Sequence, residues 1–279
     1  DQCIYSWMGV DVRDFLNASD NKTILNKSYR LPSSIHPIAE SMVSQLGTRQ
    51  KKVWMPKEEA GVVVWHHDML GLDLTNGEWL ILARTNYIAN RVATELKEQG
   101  YLFWREGSGW SISPNVLTGI EVWLKLCKGI YLSAKELRIL STLLKSDIVT
   151  KSGRKKLATL DNELTHNLES IRENFTTNVS AEMPWYDALK VSERERIYIS
   201  SVRRMGEKIL TDKPRIKIST IHKAKGGEAD NVALLLDSSK PCVESPDQDS
   251  EIRTFYVGAT RAKKALHIIE SQSMYGFKI

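Results

Sequence analysis

The sequence predicts an α/β protein in which a mostly parallel sheet is interrupted by a block of helices. Three observations lead there. Trp79-Leu80-Ile81-Leu82-Ala83 is a continuous apolar run of buried-strand type, followed by a helical pattern at Ile88, Val92 and Leu96 and a further strand at Tyr101 to Trp104. Strand, helix, strand in that order is the unit from which parallel sheets are built. From about Leu117 to Met205 the periodicity is helical throughout, and after Pro214 the α/β texture returns. A helical block between two α/β segments is an insertion, because the sheet needs both flanks to close one core. The expected domains are therefore 1–116 plus 206–279, with 117–205 as the insertion.

The elements follow in order. Ile35, Ile38, Ala39, Met42, Val43 and Leu46 have helical spacing, and Gly61 to Trp65 is a short β-branched strand. Gly100 stops the helix that carries Leu96. Within the helical block, Ser133-Ala-Lys-Glu136 is a capping box opening a helix with Leu137, Leu140 and Leu144 on one face. Leu157, Leu160, Leu164, Leu168 and Ile171 form a second helical stripe, and Ser192-Glu-Arg-Glu195 opens a third helix. Arg215 to Thr220 alternates as a strand and Asn231 to Leu236 reads as a buried one. Ser238 to Asp249 reads as a polar loop, Glu251 to Lys264 as a helix and Ala265 to Ile269 as the last strand.

Composition narrows the function classes. With 279 residues, 42% hydrophobic and 26% charged, the chain is neither disordered nor collagenous, and it buries roughly three quarters of its unfolded surface. No apolar run approaches the roughly 20 residues that cross a bilayer, so no membrane partner is expected. Cys3, Cys127 and Cys242 lie far apart with no C-x-x-C pair, which argues against a disulfide framework or zinc site and for a reducing compartment. The first residues carry no signal-peptide core, so a cytoplasmic location is expected. Lys and Arg number 39 against 34 Asp and Glu, a net charge of +5. Between Ile120 and Met205 the count is 15 against 11, so most of the surplus sits in the helical block. That fits a polyanionic partner or simply solvated helix faces.

Four segments carry chemistry: Asp1-Gln2-Cys3-Ile4-Tyr5-Ser6-Trp7-Met8-Gly9, Asn26-Lys27-Ser28-Tyr29-Arg30, Thr220-Ile221-His222-Lys223-Ala224-Lys225-Gly226-Gly227-Glu228 and Tyr256-Val257-Gly258-Ala259-Thr260-Arg261-Ala262. Arginine is a planar, permanently charged donor suited to phosphate oxygens. Arg30 beside the ring of Tyr29, together with Arg261, has the makings of a nucleotide clamp; each alone reads more simply as a surface or salt-bridge residue. Trp7 is a base-stacking or a core tryptophan. His222 has no second ligand at metal spacing, so no metal site is expected. The G-x-x-x-x-G-K-[ST] spacing of a phosphate-binding loop occurs nowhere in the chain, Lys225-Gly226-Gly227 included.

In this order, the four segments resemble motifs III, IV, V and VI of the UvrD/Rep/PcrA-type superfamily 1 DNA helicases. Leu82-Ala83-Arg84-Thr85-Asn86 resembles the R-T-N segment that these helicases carry between motifs IV and V. The resemblance runs from Gln2 to Arg261 and implies a RecA-like, P-loop-NTPase-type parallel sheet flanked by helices. It also implies a Walker A loop, an acidic box and a first RecA-like domain ahead of motif III, so the chain looks like the C-terminal half of a longer protein. The helical block falls at the family's 2B position, next to a 2A domain.

The family pattern implies roles residue by residue. Gln2 resembles the glutamine that senses the γ-phosphate, Tyr29 the adenine-stacking tyrosine and Arg30 the motif IV arginine on the γ-phosphate. Glu228 resembles the acid that bonds the ribose, and Arg261 the arginine finger, a group that in phosphoryl transfer contributes on the order of 10³–10⁵ in rate. Trp7 resembles the tryptophan stacked on single-stranded DNA, while Arg84, Asn86, Thr220 and His222 look like contacts to the strand. Met8 and Gly227 stand where the family has an arginine and a bulky apolar residue. The implied cofactors are ATP and Mg²⁺, with the metal ligands in the preceding domain. The implied partners are single-stranded DNA, its junctions with duplex, and that domain. The expected activity is an ATP-dependent helicase or translocase, 3′ to 5′, with no hydrolysis by this chain alone. A helicase–nuclease of the AddA/RecB kind and a non-enzymatic DNA-binding or loading module are the alternatives. The RecD/Dda branch fits the third motif less well.

Overall fold

A computed structural model describes residues 1–9, 11–19, 21–175, 178–206 and 214–279. The chain divides into two compact units, 1–111 with 213–279 and 112–212. In chain order the first segment carries helices α1 (Val12–Asn17) and α2 (His36–Ser44), strands β1 (Val62–His66) and β2 (Trp79–Ala83), helix α3 (Asn86–Glu98), and a hairpin of β3 (Trp104–Arg105) and β4 (Gly109–Trp110). The second unit carries α4 (Pro114–Cys127), β5 (Leu132–Ser133), α5 (Ala134–Leu143), α6 (Lys151–Ala158), β6 (Thr165–His166), α7 (Leu168–Asn174), α8 (Trp185–Ala188) and α9 (Glu193–Arg204). The chain then returns with β7 (Ile216–Thr220), β8 (Ala229–Leu235), α10 (Lys240–Val243), α11 (Gln248–Ala259) and β9 (Ala262–Ile269).

The first unit is built on a seven-stranded sheet in the order β1-β9-β8-β2-β7-β3-β4, parallel except for the β3–β4 hairpin. Strand β7 inserts between β2 and β3, so the strand–helix–strand unit read from sequence is completed only by a strand from beyond the helical unit. One sheet face presents Leu80, Leu82, Val232, Leu234, Leu266 and Ile268 to Met42 and Val43 of α2 and Phe255 and Val257 of α11. The other presents Ile81, Ile216, Ile218, Ala233 and Leu235 to Ile88, Val92 and Leu96 of α3. Strand β2 is buried along its whole length, as its unbroken apolar run requires. Thr85 caps α3, its hydroxyl accepting from the Ile88 amide at 3.3 Å.

In the second unit both predicted capping boxes form, at Ser133/Glu136 on α5 and Ser192/Glu195 on α9. The core there includes Leu117, Ile120, Trp123, Leu137, Leu140 and Ile199, and the Trp123 indole donates to the Met183 carbonyl at 3.0 Å.

Three expectations are corrected. The Leu157–Ile171 stripe is not one helix. The chain turns at Asp161, whose carboxylate accepts from the Glu163 amide at 3.1 Å, and pairs His166 with Leu132 before α7 begins. Leu164 is left exposed. The Ser238–Asp249 stretch is not simply a loop, because it holds α10 and the first turn of α11, capped by Asp247. Helix α11 ends at Ala259 rather than Lys264, and β9 starts at Ala262 because its register with β8 begins there.

Candidate functional site

Three of the residues singled out above converge where α11 ends. Helix α11 lies close on the sheet at Gly258, where a Cβ would stand 2.8 Å from Leu234 Cδ1 and the leucine side chain would have to shift. That seats the following turn, and with it Arg261, which is only 2% exposed. Its guanidinium donates to the Val257 carbonyl at 2.8 Å, the Thr260 hydroxyl at 3.2 Å and the Gly227 carbonyl at 3.3 Å. The last bond holds the turn that presents Glu228. Arg30 reaches the same place from the other direction, its Nη1 lying 3.8 Å from Glu228 Oε2.

The electrostatics of this corner are unbalanced. Burial, and next the neighbouring charge of Arg30, push the Arg261 guanidinium down to about 10, well below its ordinary value. The Arg30 Nε is buried and has no hydrogen-bond partner among the described residues. Arg30 thus meets its carboxylate only at ion-pair limit distance, with the charge of Arg261 as a neighbour, and a buried donor has no acceptor among the described residues, which is a costly arrangement unless an anion completes it. Tyr256 sits against both arginines, and burial raises its hydroxyl above the ordinary phenol value.

Tyr29 precedes Arg30 on a segment tied down by the parallel bridge between Lys27 and Met55. Its ring is 84% exposed, with the Lys27 amine 5.7 Å from the ring centroid, so a flat face is open to a ligand. Gln2 is exposed and lines a cleft of about 770 Å³ with Phe15, Leu25 and Lys225. Met8 is exposed, and the Trp7 side chain lies outside the described residues.

A second cluster forms at the C-terminal ends of β2 and β7. Asn86 is exposed at the start of α3, and its carbonyl accepts from Arg105 at 3.3 Å. Thr220 is buried and its hydroxyl accepts from the Lys223 amide at 3.4 Å. His222 follows in the same turn, its carbonyl accepting from the Tyr5 hydroxyl at 3.0 Å. Burial, then the charge of Arg84, lower the His222 imidazole below 6.5, against opposing effects of Glu251 and the Ile4 backbone. Arg84 itself is committed inward. Its Nε donates to Glu251 Oε2 at 2.7 Å, and the other oxygen of that buried carboxylate accepts from the Ser238 hydroxyl at 2.7 Å.

The role of Glu251 is missed by sequence reasoning, as is that of Asp249, which accepts from the Gly47 and Thr48 amides at 2.9 Å each and meets Arg253 at 3.1 Å. The available signal is an acidic residue on the buried face of an amphipathic helix, which needs a partner. Among the described residues no group of three or more His, Cys, Asp or Glu is placed to hold a metal ion, and no helix is long and apolar enough to cross a membrane.

The family model described as the UvrD-like helicase C-terminal domain matches residues 131–273, just over half of the chain. That span contains Thr220, His222, Glu228 and Arg261, while Gln2, Trp7, Tyr29, Arg30, Arg84 and Asn86 lie before it. No curated protein matches the chain.

Proposed function

Since the chain belongs to the UvrD-like helicase C-terminal domain family, we propose that it is the C-terminal, RecA-like half of an ATP-dependent DNA helicase or translocase working 3′ to 5′. In this reading 1–116 plus 206–279 act as the 2A domain and 117–205 as the insertion at the 2B position. The Arg30–Glu228–Arg261 corner carries the proposal. Two close guanidiniums, one with a buried unpartnered donor, suit the terminal phosphate of a nucleoside triphosphate, whose oxygens would accept from both. Tyr29 offers its exposed ring to the adenine and Glu228 its carboxylate to the ribose. Gln2 joins the phosphate side when the preceding domain closes on the site.

This chain's residues position and neutralise; they supply no covalent step, and phosphoryl transfer needs none. Arg30 and Arg261 place positive charge where negative charge develops on the phosphoryl oxygens. ATP with its Mg²⁺, when bound, would supply the leaving group and a divalent charge, and the cradle for both would lie in a domain that carries a phosphate-binding loop. Asn86, Thr220 and His222 line the strand path, with Trp7 stacking on a base. Arg84, its Nε held by Glu251, retains only its outer nitrogens for the strand.

Titration of the chain with a fluorescent ATP analogue tests the corner. Arg30→Ala is expected to weaken binding at least tenfold, the loss of one charge-assisted bidentate contact. Unchanged affinity in that variant refutes the phosphate assignment. ATP turnover is expected only when the preceding domain is supplied, and Arg261-dependent hydrolysis by this chain alone refutes the shared-site mechanism. A tailed-duplex unwinding assay of the completed enzyme decides polarity.

A further inference from the structure

Across the sheet, the face that meets α2 and α11 changes character towards the hairpin edge. Parallel register sets Lys217 beside Leu80 and Ser219 beside Leu82, then Trp104 beside Lys217, with Trp110 paired across from Trp104. Leucines on β2 thus give way to an amine and two indoles on one strip, since laterally paired residues share a face. A cleft of about 240 Å³ opens over this strip, bounded by Trp104, Lys217, Lys223, Ala224 and Glu228. Gly107 at the hairpin tip has φ +84° and no side chain, and a Cβ there would lie 3.0 Å from the Lys223 amine, which leans over it at the rim.

The charges in the cleft are unequally satisfied. Glu228 is met by Arg30 and by Lys263 at 4.0 Å. The amines of Lys217 and Lys223 have no hydrogen bond or ion pair among the described residues, and Glu106 is exposed on the hairpin. The volume lies below the roughly 300–1,000 Å³ of a small-molecule pocket, so the cleft suits one flat ring rather than a whole nucleotide. An indole and two ammonium groups on the same cleft, the latter unpaired among the described residues, match the base and phosphates of a single strand.

We infer that this cleft is a subsite for one unstacked base of single-stranded nucleic acid, with Trp104 as the stacking surface and Lys217 and Lys223 meeting the flanking phosphates. The inference rests on the strand-path reading of Thr220 and His222, because Lys223 follows His222 in the same turn and extends that path towards the hairpin.

The test uses the whole chain and a fluorescein-labelled oligothymidylate, followed by anisotropy across a salt series. Trp104→Ala is expected to bind about tenfold more weakly, and Trp104→Phe to keep most of the affinity. The pair Lys217→Gln with Lys223→Gln is expected to lower the slope of log affinity against log salt by roughly 0.7 for each amine removed. Urea midpoints equal to wild type show that the variants are folded. Trp104→Ala within twofold of wild type, while Asn86→Ala and His222→Ala bind weakly, overturns the inference and leaves the strand path standing. A wild-type chain that binds no oligonucleotide, or Asn86→Ala and His222→Ala that match it, removes the strand path and this subsite together. Poly-glutamate binding that falls as far in Trp104→Ala overturns the base assignment, because a carboxylate peptide has no base to stack.

Discussion

Replacing Arg261 by methionine is expected to remove nucleotide binding while leaving stability almost unchanged, although the side chain is buried. The guanidinium is held down at about 10, well below its ordinary value, a depression that corresponds to about 3 kcal/mol of unfavourable surroundings for its charge. Against that stand three hydrogen bonds, one short to Val257 and two long to Thr260 and Gly227. At about 1.5 kcal/mol for the short bond and half that for each long one, they contribute about 3 kcal/mol. Methionine keeps the apolar stem in a well-packed site, and exchanging a buried ion for an apolar group of similar length is often neutral. Equilibrium urea unfolding measures the difference, which is expected to fall within about 1 kcal/mol of zero. A loss of 3 kcal/mol or more would show that Arg261 is a structural staple. Its charge would then serve the fold rather than anion binding.

The remaining expectations concern the surroundings of that corner. Arg84→Ala and Glu251→Gln should each cost about 3 kcal/mol in urea unfolding, because each leaves a partner of a buried pair unmatched; the double variant should cost clearly less than their sum, and simple additivity would deny the pair any coupling. His222 and His267 both have pKa values lowered below 6.5, first by burial and next by Arg84 and His66 respectively. Below pH 6.5 the unfolded chain therefore takes up protons that the folded chain refuses, so stability is complete above that pH and is lost as pH falls, by at most about 1.4 kcal/mol per pH unit for each histidine. Urea midpoints from pH 8 to 5 should show this decline, and His267→Gln should flatten it. Gly258→Val should destabilise by about 1–3 kcal/mol, because its side chain meets Leu234 at a distance where something must shift; a neutral result would mean that α11 moves freely on the sheet.

Much of the sheet was legible because its signals are local. The apolar run of β2 and the periodicity of α3 name their own partners, and the capping boxes at Ser133 and Ser192 are satisfied within one helical turn. What was illegible depends on distant residues. Nothing near Leu164 says that Leu132 will pair with His166 and end the helical stripe, and nothing near Ala262 says that β8 will extend β9 backwards. The same distinction applies to the site. The spacing of Tyr29, Arg30, Glu228 and Arg261 was readable as motif, and the structure brings the last three together. That Arg84 would turn to Glu251 was not readable, because an arginine after a strand has the same sequence appearance whether it faces a ligand or a buried acid 167 positions away. Trp104 and Lys217 gave no signal in sequence for a related reason: their adjacency exists only after β7 has entered between β2 and β3.

The nucleotide corner and the turn that carries Arg84 and Asn86 are tied to opposite ends of one helix, and this limits how the unit can respond to nucleotide. At its first turn α11 is fixed by Asp249 to the Gly47 and Thr48 amides and by Glu251 to Arg84 and Ser238. At its last turn it carries Tyr256 and leads into Arg261, and Gly258 keeps it in contact with Leu234 and Ile221. A helix of 12 residues is a rod of about 18 Å. Sliding it along the sheet would break a buried ion pair, at a cost of about 3 kcal/mol. Movement of Arg261 towards a phosphate is therefore expected to carry the turn after β2 and the turn after β7 with it, as one body. Hydrogen exchange on adding an ATP analogue should then alter protection in 248–259, 84–90 and 220–223 together. Altered protection confined to 248–259 would mean that the helix slides alone, and the Arg84–Glu251 pair would lose the linking role argued for it.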